Sequence, residues 1–119
     1  MTDMKGERNR VRSRGAMVQA EKIPVRTPRG IPASMVAGYV QRCLAALPAA
    51  KTALVGLDHN SLRVYGHRLK GSGGGYGIPR LTEFGAVIEA AARRGDTAEL
   101  QNQFAEMEVY LSRLEVLPY

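Results

Sequence analysis

The stretch Asp58–Pro79 reads DHNSLRVYGHRLKGSGGGYGIP. Asp58, with Ser61 three residues on, offers a short side-chain oxygen to the first backbone N–H groups of a helix. Leu62, Tyr65, Leu69 and Tyr76 then recur at helical spacing and define one apolar face. Gly71, Gly73, Gly74, Gly75 and Gly77 crowd the far end, although each glycine costs a helix about 1 kcal/mol against alanine. Pro79 suits the first turn of a following helix, where its missing N–H would have had no partner. The stretch therefore predicts a helix, a glycine-rich end and a second helix. With Leu69 taken as zero and about 100° per residue, His67 falls at about 160°, nearly opposite the apolar face. Asn60, Arg63, Lys70, Gly71 and Gly74 share that outer face.

The pattern on either side is also helical. Upstream, Val36, Val40, Cys43 and Leu47 repeat every three to four residues, widened by Met35, Tyr39 and Leu44 and continued by Ala50, Leu54, Val55 and Leu57. Pro48 lies inside this run and should kink or restart the helix, since it lacks an N–H and crowds the preceding turn. Downstream, Leu81, Phe84, Ile88 and Ala91 line one face, and Gly95 is a good terminator. Asp96 with Glu99 resembles a capping box ahead of Leu100, Phe104, Met107, Leu111 and Leu114. Short connections between four such helices predict an all-α antiparallel four-helix bundle over residues 31–119, with no strand pattern to compete.

Composition narrows the function. The chain has 119 residues, one domain's worth, with no Trp and a formal charge of +6. The excess is concentrated at the start, where residues 1–30 hold eight basic side chains against three acidic ones. That segment has little apolar periodicity, so a flexible basic leader is expected over 1–30, with Met17 and Met35 as other possible starts. It lacks an aromatic platform for stacking bases, which argues against nucleic-acid binding. No run approaches a membrane span and no secretory h-region is present, so a soluble, cytoplasmic monomer is expected. The single cysteine, Cys43, excludes an internal disulfide and falls within the core stripe. No P-loop occurs, and a G-x-G-x-x-G reading needs a preceding strand.

A solvent-facing histidine can act as a nucleophile through a ring nitrogen. Gly71 and Gly74 clear side chains from the surface beside it, and Lys70 can offset the charge of a phosphoryl group. His59 near the helix start has no such neighbourhood. The run from His67 to Gly77 resembles the active-site motif of histidine-containing phosphotransfer (HPt) domains, H-x-L-K-G-S/A with a glycine ten residues after the histidine. The resemblance extends through Leu81, Glu89 and Gly95-Asp96 and back over the first helix. It implies that His67 is the phosphoacceptor, that Lys70 steadies the phosphoryl group and that Gly71 gives access. By the same likeness Ser72 hydrogen-bonds or holds the neighbouring helix, with Gly77 a structural neighbour of the site. It also implies a phosphorelay intermediate that takes phosphoryl from a receiver-domain aspartate and passes it to another receiver, without ATP-dependent kinase activity. No cofactor or metal of its own is expected, Mg²⁺ coming from the receiver's acidic pocket. Arg63, Arg68 and Arg80 are candidate contacts for an acidic receiver surface, beside Gly71 and Gly74.

Overall fold

The computed structural model describes residues 21–119, so most of the expected leader, with Met17, lies outside the described residues. In chain order they form β1 (Ile23–Arg26), α1 (Ala33–Val55), α2 (His59–Gly73), a 3₁₀ turn (Gly74–Tyr76), α3 (Pro79–Arg93), α4 (Thr97–Arg113) and β2 (Leu114–Leu117). Three of the four helices begin at the expected signals: Asp58 accepts from Ser61 N, Asp96 accepts from Glu99 N, and Pro79 opens α3. Their stripes meet in one core. Val36, Val40, Leu47, Leu62, Leu81, Phe84, Ile88, Leu100, Phe104 and Met107 are all buried.

Three local expectations need correction. Of the kink or restart expected at Pro48, the restart does not occur: α1 runs through Pro48 to Val55. Its apolar face stops at Leu54, and Val55 and Leu57 face solvent. The chain closes there on itself, with Leu57 N donating to Leu54 O and Asp58 N to Ala53 O, and Leu57 left-handed at φ 57°.

Strands form where none was expected, one of them inside the supposed leader. β1 pairs in parallel with β2, Ile23 opposite Leu114 and Arg26 opposite Leu117. Thr27 is buried, and both its backbone N (2.8 Å) and its Oγ1 (2.6 Å) donate to Leu117 O. Residues 23–27 are thus held by backbone pairing against β2, the segment that follows α4. Beyond β1, Pro28 seats on Gly77, which is left-handed at φ 81°; a Cβ on Gly77 would lie 2.6 Å from Pro28 Cγ.

The site is shaped by how closely α2 and α3 approach. A Cβ on Gly66 would stand 2.6 Å from Glu89 N and 2.8 Å from Gly85 O. One on Gly73 would stand 2.7 Å from Thr82 N. Gly66 faces Gly85 and Glu89 while Gly73 faces Leu81 and Thr82, so these two helices run in opposite directions with backbone against backbone.

Candidate functional site

Burial of Leu62, Gly66, Leu69 and Gly73 fixes which face of α2 turns inward, and the His67 side chain is left 66% exposed. Close approach of α3 then brings one acidic side chain beside it. Glu89, almost fully buried, meets His67 Nδ1 at 3.2 Å through Oε2, Lys70 Nζ at 2.8 Å through Oε1, and Arg93 at 3.1 Å through Oε2. Neither Glu89 nor Arg93 was assigned a role from sequence. The available signal was spacing, since Glu89 lies one turn after Gly85 and one turn before Arg93 on the edge of α3 that touches α2.

The hydrogen bond from Lys70 draws the Glu89 carboxyl down from 4.5 to about 2; burial opposes this, and the bonds from Arg93 and His67 reinforce it. Glu89 is therefore an ionised acceptor at neutral pH, and a carboxylate can only accept. It follows that Nδ1 carries the ring proton in neutral His67 and that Nε2 holds the lone pair. One nitrogen is tied down, and the other keeps a lone pair that can act as a nucleophile.

This depression has a sign. The carboxylate's native bonds stabilise the fold fully above about pH 4.5 and are lost as pH falls from there toward about 2. Thermal unfolding at pH 6 and pH 3 should show wild type losing more Tm than Glu89→Gln. Equal losses in the two proteins would dispose of the assignment.

The end of α2 is secured from two sides. Ser72 Oγ and the Tyr39 hydroxyl of α1 lie 2.6 Å apart, and the Tyr39 ring stacks on Tyr76 with centroids 4.1 Å apart. Burial pushes the Tyr39 hydroxyl up to about 12. On the α3 side Thr82 Oγ1 accepts from Gly74 N and donates to Lys70 O. A Cβ on Gly71 would meet nothing within 4 Å, so the surface beside His67 is open there; one on Gly74 would touch only Thr82 Oγ1, at 3.5 Å.

The arginines divide. Arg63 donates to Asn60 Oδ1 one turn before His67, and Arg68 faces the furrow between α1 and α2. Arg80 belongs elsewhere. Its guanidinium lies 4.0 Å over the Phe84 ring, near Glu83 and Glu106, because four-residue spacing puts it on the Phe84 side of α3, toward α4. Its contacts are with Phe84, Glu83 and Glu106, and none is with His67, Lys70 or Glu89. His59 is half-buried at the start of α2, beside Gly95. Among the described residues no group of three or more His, Cys, Asp or Glu side chains could hold a metal ion.

A family model described as the Hpt domain matches residues 34–116. Comparison with curated proteins and with solved structures gives no match.

Proposed function

The chain belongs to the Hpt domain family, whose members are phosphocarriers of two-component phosphorelays and partners of receiver domains, and on that premise we propose that His67 is the phosphoacceptor. The observation that carries this reading is the exposed side chain of His67, whose Nδ1 is held by an ionised carboxylate, with Lys70 beside it.

The transfer needs no proton movement. The Nε2 lone pair attacks the phosphorus of a receiver's aspartyl phosphate. The N–P bond forms as the P–O bond breaks, and the aspartate leaves as a carboxylate. The Nδ1 proton stays in place, so the ring becomes cationic, and Glu89 stabilises that charge as the buried acid of a catalytic triad stabilises imidazolium. Lys70 and Arg93 offset the phosphoryl charge, leaving the cationic phosphoimidazole a good donor to a second receiver aspartate, by the same steps reversed. The receiver's acidic pocket supplies Mg²⁺. Gly71 leaves room for that pocket, and Ser72 with Gly77 holds the end of the helix that presents His67.

We place this cycle in the cytoplasm and on a monomer. No helix of the described residues is long and apolar enough to cross a membrane. The test is phosphorylation by charged receiver domains, followed by NMR assignment of the N–P bond. Attachment at Nε2 of His67 is the expected result; attachment at Nδ1 or at another residue overturns the reading.

A further inference from the structure

We propose that Pro28 is a positioning residue for the phosphoacceptor helix. A strap of residues 23–28, clasped to β2, presses on Gly77 and so holds the turn of α2 that carries Lys70. The inference rests on the phosphoacceptor reading of His67, and the strap precedes the Hpt stretch at residues 34–116.

The first observation is that this end of α2 needs support. Lys70 lies in its last turn, and Gly71, Gly73, Gly74 and Gly75 follow. Glycine holds a helix poorly, because it loses the most backbone freedom on being ordered. The end is closed by Gly77 N donating to Gly74 O and Ile78 N donating to Gly73 O. Whatever fixes Gly77 therefore keeps the last turns wound.

The second observation is how the strap reaches Gly77. β1 is paired with β2 from Ile23 to Arg26, and the buried Thr27 donates to Leu117 O through both its N and its Oγ1. Pro28 comes next. Its Cγ and Cδ would stand 2.6 and 2.8 Å from a Cβ on Gly77, so its ring packs directly on the Gly77 backbone.

The third is the path from Gly77 back to the site. Tyr76 stacks on Tyr39, whose hydroxyl lies 2.6 Å from Ser72 Oγ. Thr82 Oγ1 accepts from Gly74 N and donates to Lys70 O. The glycine-rich end is thus held by α1, by α3 and, at its tip, by the strap. Of these three supports the strap alone is mounted on a two-stranded ribbon, which has marginal stability of its own. It is the support that can be released while the bundle stays folded. Release frees the turn that sets Lys70 against Glu89, and transfer slows.

The test compares Pro28→Ala with Pro24→Ala in the full chain, Pro24 being exposed on β1 opposite Glu115. Amide hydrogen exchange by NMR reads the helix end, with the amide of Met107 in the core of α4 reporting global opening. Phosphoramidate, a small donor that needs no docked partner, reads transfer. Pro28→Ala should speed exchange at Gly77 and Ile78 at least about fivefold, leave Met107 within about twofold, and lower the maximal labelling rate at least about threefold. Pro24→Ala should match wild type in all three. Unchanged exchange at Gly77 and Ile78 overturns the strap, as does an equal rise at Met107. Equal changes in Pro24→Ala overturn it too, since the contact with Gly77 would then not be the cause. Faster exchange with unchanged labelling makes the contact purely structural and overturns the positioning role. If neither phosphoramidate nor charged receivers label wild type, the phosphoacceptor reading falls whatever the exchange shows, and the positioning role falls with it.

Discussion

His67→Gln is expected to abolish labelling by charged receivers, to below about 1% of wild type, without unfolding the protein. Glutamine can still donate an N–H toward Glu89 Oε2, now 3.2 Å from Nδ1, but its amide nitrogen has no lone pair fit to attack phosphorus. The side chain is two-thirds exposed, so the substitution should shift stability by no more than about 0.5 kcal/mol. Phosphoramidate should fail along with the receiver, which separates loss of the nucleophile from loss of docking. Residual label on the variant would have to sit on His59, the other histidine of the chain, and would move the acceptor two turns up α2. The expected result is none, because His59 has no Lys–Glu pair around it and its Nε2 is buried.

The helical part of this molecule was legible because its information is local. Caps act over three residues, stripes over three or four, and Asp58, Pro79 and Asp96 mark helix starts that the structure places where they were read. The outward direction of His67 followed from the same periodicity. The strands were not legible, since Ile23–Arg26 and Leu114–Leu117 are four residues each and are defined by partners at the other end of the chain. Glu89 escaped for a related reason. Its neighbours Ile88 and Ala91 mark α3 as core-facing, and only the crossing of α3 on α2 turns a buried acid toward a histidine 22 residues earlier. Arg80 could have been placed, because its four-residue distance from Phe84 already assigns it to the α4 side of the helix.

That crossing makes glycine the residue on which the site depends most, and the same change at two glycines should have opposite effects. Gly85→Ala puts a Cβ 2.7 Å from Gly66 O and 2.7 Å from Lys70 Cα. Both obstacles are backbone, so no rotamer change relieves the clash, and α3 must move off α2. Overpacking of this kind commonly costs 1–3 kcal/mol, and here about 3 kcal/mol or more is expected. That is a large part of the roughly 5–15 kcal/mol that holds a domain of this size together. Displacing α3 also withdraws Glu89 from His67 and Lys70, so phosphoramidate labelling should slow even at temperatures where the variant remains folded. Gly71→Ala meets nothing within 4 Å on an exposed helical face, and should raise stability by about 0.5–1 kcal/mol as alanine replaces glycine in a helix. Urea unfolding of the two variants beside wild type checks both signs. If Gly85→Ala loses less than about 1 kcal/mol, the backbone contact between α2 and α3 is not what brings Glu89 to His67.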